Sequence, residues 1–388
     1  MSSDKISNGQ KIDWKQALKY AGAILAYLIG SGYASGQEVA QSFTVYGWRG
    51  FLGMFAFGIF IIVIAIIMKH GQTYRKEKEG DVYRFYLGKY AGAFMEWFTY
   101  FFLLLVEMVM ISGAAASLSQ YFHVSTLVGS IGMSILVILT TSLGLQKVVS
   151  IVGKLGGLTF IVTIFVSIWT VFSNTGAMGT FQSQFAAAKP GQLTYAAGSS
   201  SGWFWLGAIL FIAYNYVAGV PFIATLGKNS ANQRTAFWGG IFGGIGLFFA
   251  AFFMNLALFG HFNLVYTTQV PMLQLAINIH PVFGFFFFII LLACIYDTAA
   301  PMMWSLAARF TPEGASKRRY NTTIVIATAI AWIGAQLPFD KLVGIVYPFS
   351  GYFGIVLLVA IFAVEIYHHV KSPKGAAGDT LVGADAKE

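Results

Sequence analysis

Long apolar segments dominate this chain and limit the folds that it can adopt. Each is close to the roughly 20 residues with which a helix crosses a bilayer. Of the 388 residues, 57% are hydrophobic and only 10% are charged, which is typical of an all-α integral membrane protein with many spans. We predict ten transmembrane helices, in residues 17–45, 50–69, 91–120, 124–143, 148–172, 199–226, 235–260, 282–308, 321–337 and 341–367.

The basic residues predict how the bundle is oriented. Of the 24 Lys and Arg residues, only Arg49, Lys189 and Lys341 fall in loops on one side of the predicted bundle. Because loops rich in Lys and Arg stay in the cytoplasm, we expect both termini to be cytoplasmic. The same distribution explains the formal net charge of +9, so we expect no nucleic-acid partner. No cleavage site precedes the first segment, so we expect that segment to remain as a span.

The first apolar segment is interrupted near its middle by GSGYASG, residues 30–36. Three glycines and two serines in seven positions support a continuous helix poorly, which predicts a broken helix. Ser35 and Glu38 fit a capping box for a new helical turn. Since unpaired backbone groups at membrane depth are tolerated where they line a cavity, we predict a binding site at the break. Its candidate residues are Gly30, Ser31, Gly32, Tyr33 and Ala34. The alternative is an unbroken glycine-rich helix packed tightly on a neighbour.

The sixth segment repeats this theme. Tyr214, Asn215, Gly219 and Pro221 lie near its centre, and proline removes an amide and disfavours helix at the preceding residue. We therefore predict that this helix also unwinds at mid-membrane, although a simple proline kink is the common structural alternative. Two broken helices that open the repeats 17–172 and 199–367 would form a five-plus-five inverted repeat. Tyr214, Asn215 and Gly219 would then face the first break as substrate-binding residues.

Several segments resemble the YkvI-like family of bacterial membrane proteins. That family is similar to the amino acid-polyamine-organocation transporter superfamily, which has the leucine-transporter fold. The resemblance covers most of residues 17–367 and is most specific in the first span. The segments are IGSGYASGQEVAQSFTVYG (29–47), LGLQKVVSIVGKLGGL (143–158), AYNYVAGVPFIATLG (213–227), PMLQLAINIHP (271–281) and IYDTAAP (295–301).

The resemblance implies a single transporter domain, residues 17–367, between cytoplasmic tails 1–16 and 368–388 in a bacterial cytoplasmic membrane. It also implies secondary active transport by alternating access. The aromatic and polar residues at the two breaks suit a small zwitterion, such as an amino acid or a related amine. Residues 269–280, QVPMLQLAINIH, would form a short outer helix that closes over the site.

Glu107 lies near mid-bilayer in the third segment, where ionisable residues tend to be functional. No basic residue lies within two helical turns of it along the chain. If charged, it needs a partner such as a substrate ammonium. The alternatives are a transported proton or a protonated carboxyl that is hydrogen-bonded in the core. Glu38 leaves a similar choice between a capping role and a site role.

Asp297 and Thr298 predict a coupling site beside the first break. In sodium-coupled members of the superfold, hydroxyls at this level of the eighth helix help to bind sodium, and oxygen ligands suit that ion. Lys154 in the fifth segment favours a different interpretation, because in proton-coupled or ion-independent relatives a lysine at a similar place replaces the sodium. We predict that Lys154 faces Asp297 as a titrating pair with Glu38 nearby. The alternative is that Lys154 extends to the cytoplasmic surface.

The remaining signals restrict the function classes. The chain contains no phosphate-binding loop, no dinucleotide motif, no metal-binding histidine spacing and no catalytic triad. We therefore expect no enzymatic activity and no cofactor beyond sodium or a proton as the coupling ion. The main alternative function is a nutrient-sensing membrane receptor with the same fold that binds a solute without moving it. Oligomeric state stays open.

Overall fold

The computed structural model describes residues 11–74, 79–143, 155–173, 179–187, 203–311 and 316–371. Within these ranges the chain is helical and contains no strand. The helices are α1 (Trp14–Leu28), α2 (Ser31–Ala34), α3 (Gln37–Ser42), α4 (Trp48–Gly53), α5 (Phe57–Tyr74), α6 (Glu79–Phe122), α7 (Thr126–Leu143), α8 (Leu155–Ser173), α9 (Phe181–Ala187), α10 (Phe204–Lys228), α11 (Gln233–Gly260), α12 (Phe262–Val265), α13 (Pro271–Ile279), α14 (Pro281–Phe310), α15 (Lys317–Gly334) and α16 (Phe339–Lys371).

Each predicted apolar segment contains at least one of these helices, and the chain is an all-α membrane protein. Six helical stretches within the described ranges are long and apolar enough to cross a membrane. They are Trp48–Tyr74, Asp81–Phe122, Phe204–Lys228, Gln233–Gly260, Pro281–Phe310 and Phe339–Val370. α7 and α8 contain shorter apolar stretches, and α1 ends at Leu28, so the total of ten spans stays a prediction.

α10 lies at the centre of the bundle, where its main neighbours are α5 and α16. Glycines allow these helices to approach closely. A Cβ atom at Gly227 of α10 would overlap the backbone of Met68, and one at Gly354 of α16 would overlap the backbone of Ala213. Small residues at such contacts let helix backbones pack directly in a membrane.

The first span is broken, as the sequence predicts. α1 ends at Leu28, Gly30 is extended, and the single turn of α2 is followed by Gly36 with a φ of +83° before α3 begins. The predicted capping box does not form. The Ser35 hydroxyl accepts the Gln37 amide at 3.2 Å, but Gly36 caps α3, and the Ser35 amide bonds the Ser31 carbonyl at 2.8 Å. Glu38 is therefore free for another role.

The predicted break in the sixth span is wrong, because α10 continues through Pro221. Proline has no amide for the carbonyl of Val217, four residues earlier. The Tyr83 hydroxyl donates to this carbonyl. The Thr99 hydroxyl lies 3.2 Å from it, but its single proton is shared with the Met95 carbonyl at 2.9 Å. Since α6 supplies the missing donor, the helix does not need to unwind to satisfy its backbone.

The ends of the described chain meet on one face of the bundle, which we call the terminal face. There the Asp13 amide donates to Thr235 Oγ1 at 3.0 Å, and Lys69 Nζ lies 2.6 Å from a Glu365 carboxylate oxygen. This is the face that the basic residues predict to be cytoplasmic. We call the other end, which carries α9 and α13, the opposite face.

Candidate functional site

Glu38 lies at the centre of the candidate site, directly after the break of the first span. It is buried because the turn at Gly36 directs α3 into the bundle. The Tyr214 hydroxyl of α10 donates to its carboxylate, and the Tyr347 hydroxyl of α16 and the Tyr33 amide also interact with it. The rings of Tyr214 and Tyr347 stack with centroids 4.7 Å apart. Three spans thus converge on one carboxylate.

A central cavity of about 60 Å³ lies on the terminal side of this carboxylate. Predicted site residues that line it are Gly30, Glu38, Tyr214, Asn215, Gly219 and Thr298. Among the described lining residues Glu38 carries the only charge, and no Lys or Arg is present. The volume suffices for about two water molecules, so a larger solute requires the walls to move.

A second cavity of about 280 Å³ continues toward the terminal face. Tyr27, Ala218 and Met302 line both cavities and separate them. Tyr27 of α1 stacks on Phe222 of α10 with ring centroids 4.0 Å apart, and its hydroxyl donates to the Ala218 carbonyl at 3.1 Å. We call this stacked pair the Tyr27–Phe222 gate.

The opposite face is more tightly packed over the site. The outer pocket beside Glu38 and Tyr214 measures only about 20 Å³. The predicted short helix is present as α13, and its Met272 amide donates to the carbonyl of Ser35 at 2.9 Å. Gln120 fixes the start of α13 by hydrogen bonds to the Val270 amide and carbonyl at 3.1 and 3.0 Å. The site is therefore separated from the terminal face by a thin gate and from the opposite face by packed helices.

Other residues predicted from the first break form its wall and do not line the central cavity. Ser31, Gly32, Tyr33 and Ala34 are buried in α2. The Ser31 hydroxyl contacts Met110 Sδ at 3.0 Å, and the Tyr33 hydroxyl donates away from the cavity to Leu247 O at 2.6 Å. A Cβ atom at Gly32 would overlap the Glu38 carboxylate, so glycine is needed there for Glu38 to occupy its place.

Glu107 is fully buried in α6, with 1% of its surface exposed. Both of its carboxyl oxygens lack a hydrogen-bond partner among the described residues. It does not line the central cavity, although Val106 and Met110 beside it do. Glu38 and Glu107 thus differ, since among the described residues a hydroxyl group donates to Glu38 and none donates to Glu107.

The predicted coupling residues are only partly brought together. Thr298 lines the central cavity, and its hydroxyl donates to the Cys294 carbonyl at 3.1 Å. Cys294 Sγ lies 3.4 Å from the Ile29 carbonyl at the break, so α14 does pack on the break. Asp297 is half-buried and does not line this cavity. Lys154 lies outside the described residues, so its pairing with Asp297 stays a prediction.

Sequence reasoning missed several residues of the site. Tyr27 precedes the break by a single turn, and Tyr347 adjoins Pro348 in the last span. The chain contains 19 tyrosines, so the sequence alone does not distinguish Tyr27 and Tyr347 from the other tyrosines. The missed lining residues are Tyr27, Leu28, Phe102, Val106, Met110, Ala218, Met302 and Tyr347.

Two relatives in Bacillus subtilis (strain 168) match nearly the whole chain. The uncharacterized membrane protein YkvI is 22% identical over 358 residues, which cover 89% of this chain and 94% of YkvI. The uncharacterized protein YyaD is 24% identical over 355 residues, which cover 91% of this chain and 98% of YyaD. This chain is a homologue of YkvI and YyaD. No family model matches it.

Comparison with solved structures shows which fold this chain has. A mutant of the Eremococcus coleocola manganese transporter superposes with a TM-score of 0.56 at 15% identity, over 93% of this chain and 81% of the transporter. MhsT in complex with L-phenylalanine gives a TM-score of 0.53 at 16% identity, over 93% of this chain and 98% of MhsT. This chain therefore has the leucine-transporter fold.

Proposed function

We propose that this chain is a secondary active transporter that works by alternating access. Its solute is a small molecule with an amino group, and an amino acid is the first candidate. The observation that carries the proposal is the position of Glu38. It lies at the break of the first span, between an outer pocket of about 20 Å³ and a central cavity that leads to a larger one. A binding group between a packed face and a thin gate is the arrangement that alternating access requires.

The chemistry of the central cavity supports an amine as the recognised group. A carboxylate without a basic partner among the described lining residues attracts an ammonium group. The aromatic and methionine side chains around it suit an apolar or aromatic portion of the solute. MhsT was solved with L-phenylalanine, which is compatible with this class of solute for a chain of the same fold.

For coupling, we propose that Glu107 binds and releases a proton. Burial without a partner among the described residues disfavours the charged form of Glu107, and a proton removes that charge. Sodium bound near Asp297 and Thr298 is the competing proposal. The two differ in whether uptake depends on a pH gradient or on sodium.

The decisive experiment is counterflow in proteoliposomes. Vesicles that contain purified protein are loaded with unlabelled amino acids, and the accumulation of single labelled ones is followed with sodium present or replaced. We expect one class to accumulate, and we expect Tyr214→Phe to lower this accumulation by about tenfold, as the loss of a hydrogen bond to a buried charge implies. Tyr216→Phe is the matched control, because its hydroxyl on the same helix donates away from the site to Phe60 O at 2.9 Å.

Glu107→Gln tests the coupling separately. We expect it to retain counterflow, which needs no net proton movement, and to lose uptake driven by a pH gradient. Loss of counterflow as well would place Glu107 in solute binding. If no labelled amino acid or amine accumulates while a thermal shift still reports binding, the transporter proposal fails and a nutrient-sensing receptor becomes the better explanation.

A further inference from the structure

An apolar groove lies on the outside of the bundle, away from the central cavity. It has a volume of about 470 Å³ and lies between α6, α14 and α15. We call it the apolar groove. Its lining residues are Trp97, Tyr100, Phe101, Leu104, Leu306, Phe310, Thr323, Ile326, Ala327 and Ile330.

The apolar groove has the dimensions of a lipid acyl chain within one leaflet. On α15 it extends from Thr323 to Ile330, which is about 10 Å by helical rise, and one leaflet contributes about 15 Å of hydrocarbon. Its walls are open toward the surroundings, because Trp97 is 52% exposed and Ile326 is 55% exposed. The groove can therefore take up most of a chain from the surrounding bilayer.

Basic residues stand at the terminal end of the apolar groove. Arg319 precedes Thr323 by one turn, and the Thr323 hydroxyl donates to the Arg319 carbonyl at 3.1 Å. Lys317 and Arg318 lie beside Arg319 in the first turn of α15, and all three are exposed. We call these three residues the basic rim. None of them forms an ion pair within the described part of the chain.

Glu96, a described acidic residue near this end of α14, does not neutralise the basic rim. Glu96 is already bound by Arg84 at 2.9 Å and by Arg309 at 3.1 Å. Arg309 also lies over the Trp97 ring, 4.6 Å from its centroid. Within the described ranges, the positive charge of the basic rim therefore remains available to an anionic group.

We propose that the apolar groove and the basic rim form a binding site for an anionic phospholipid. One acyl chain occupies the groove, and the phosphate group contacts Arg319 and its neighbours. Basic clusters beside transmembrane helices bind anionic headgroups in this way, with about 1 kcal/mol for each Lys or Arg near the surface. The site lies outside the central cavity, and Tyr100 is shared between the apolar groove and the second cavity.

The test uses tryptophan quenching by brominated lipids, since Trp97 lines the groove. The full chain is placed in nanodiscs of phosphatidylglycerol and phosphatidylcholine of fixed composition. Equal mole fractions of bromine-labelled acyl chains are carried either by phosphatidylglycerol or by phosphatidylcholine. The difference in quenching between the unaltered chain and Trp97→Phe isolates the signal of Trp97. Trp169, which is 51% exposed on α8 and outside the groove, is the matched control through Trp169→Phe.

We expect brominated phosphatidylglycerol to quench Trp97 more than brominated phosphatidylcholine does, and Trp169 to show no such preference. Arg318→Gln with Arg319→Gln should remove the preference at Trp97, because each charge contributes about fivefold in local affinity. Thermal unfolding of this variant should stay unchanged, because both side chains are exposed.

Three results would overturn the proposal. Equal quenching by the two lipids would mean that the groove is only solvated by bulk lipid. Absence of quenching by either lipid would mean that protein, such as a second copy of the chain, covers the groove. A preference that persists in the Arg318→Gln and Arg319→Gln variant would mean that the basic rim does not bind the headgroup.

Discussion

The first and sixth spans of this bundle carry comparable helix-breaking sequences but have different structures. The first contains no proline and breaks between α1 and α3, where Gly36 has a φ of +83°. The sixth contains Pro221 and runs unbroken from Phe204 to Lys228. The comparison shows that a helix breaker in a membrane does not by itself decide whether a helix breaks.

The two spans differ in what satisfies their carbonyl groups. In the sixth span, side chains of α6 replace the single donor that proline lacks, so the helix persists. In the first span, the Ser35 carbonyl accepts a hydrogen bond from the Met272 amide. This donor belongs to α13 and not to the first span itself. Backbone groups at membrane depth need partners, and the positions of those partners select the conformation.

Among substitutions that test the difference between the two spans, we expect the largest effect, a loss of solute accumulation, from Gly32→Ala in α2. The new Cβ atom would overlap the Glu38 carboxylate and displace it from Tyr214. Loss of a hydrogen bond to a buried charge costs about 1.5–3 kcal/mol, so labelled solute accumulation should fall by about 10- to 100-fold. Gly22→Ala in α1 is the control, because its Cβ atom would meet no atom within 4 Å. Equal transport by both variants would show that the placement of Glu38 does not matter.

Gly36→Ala should have the next largest effect, this time on stability. A left-handed conformation costs a residue with a Cβ atom about 1–2 kcal/mol, and the Cβ atom would also lie 2.8 Å from Met272 Cγ. Gly36→Ala in a Met272→Ala background separates the two causes, since the shorter side chain removes this contact and the φ of +83° remains. Unfolding in detergent should show a larger loss for Gly36→Ala in the unaltered chain than in that background. Identical losses would leave no role for the contact with α13.

Removal of both hydroxyl groups beside the Val217 carbonyl, by Tyr83→Phe with Thr99→Val, tests the sixth span. The Val217 carbonyl would be left without a partner, at a cost of about 1–3 kcal/mol. Pro221→Ala in the same background should restore much of the stability, because alanine supplies the missing amide. Tyr216→Phe is the control, because Pro221→Ala should not restore the stability that this substitution removes. Thermal unfolding is measured for both backgrounds, each with and without Pro221→Ala. If Pro221→Ala fails to restore stability in the Tyr83→Phe and Thr99→Val background, the assigned role of α6 is wrong.

The smallest effect is expected from Pro221→Ala alone. Proline costs about 3 kcal/mol relative to alanine inside an isolated helix. Here the Val217 carbonyl already accepts from the Tyr83 hydroxyl, so we expect a gain well below that value in the same unfolding measurement. A gain close to the full amount would show that the hydroxyl groups are poor substitutes for the amide.

The same dependence on distant partners limits what the sequence predicts about the site. Gly30, Glu38, Asn215 and Thr298 could be proposed from local patterns, and all of them line the central cavity. Tyr347 could not, because it reaches Glu38 from a helix that lies about 300 positions later in the chain. Glu107 illustrates the converse, since its depth is predictable from the sequence, whereas its lack of a partner among the described residues is not.

The sequence alone determined that this chain forms an apolar helical bundle and that its first span is interrupted at a glycine-rich break. Both follow from local properties, namely the hydrophobic length needed to cross a bilayer and the cost of glycine in a helix. The packing of the helices, in contrast, keeps the sixth span continuous and brings tyrosine hydroxyl groups to Glu38 rather than to Glu107. The physical reason is that a buried polar group is satisfied by whichever donor the packing brings near, and donors such as Tyr83, Thr99 and Tyr347 lie far away along the chain.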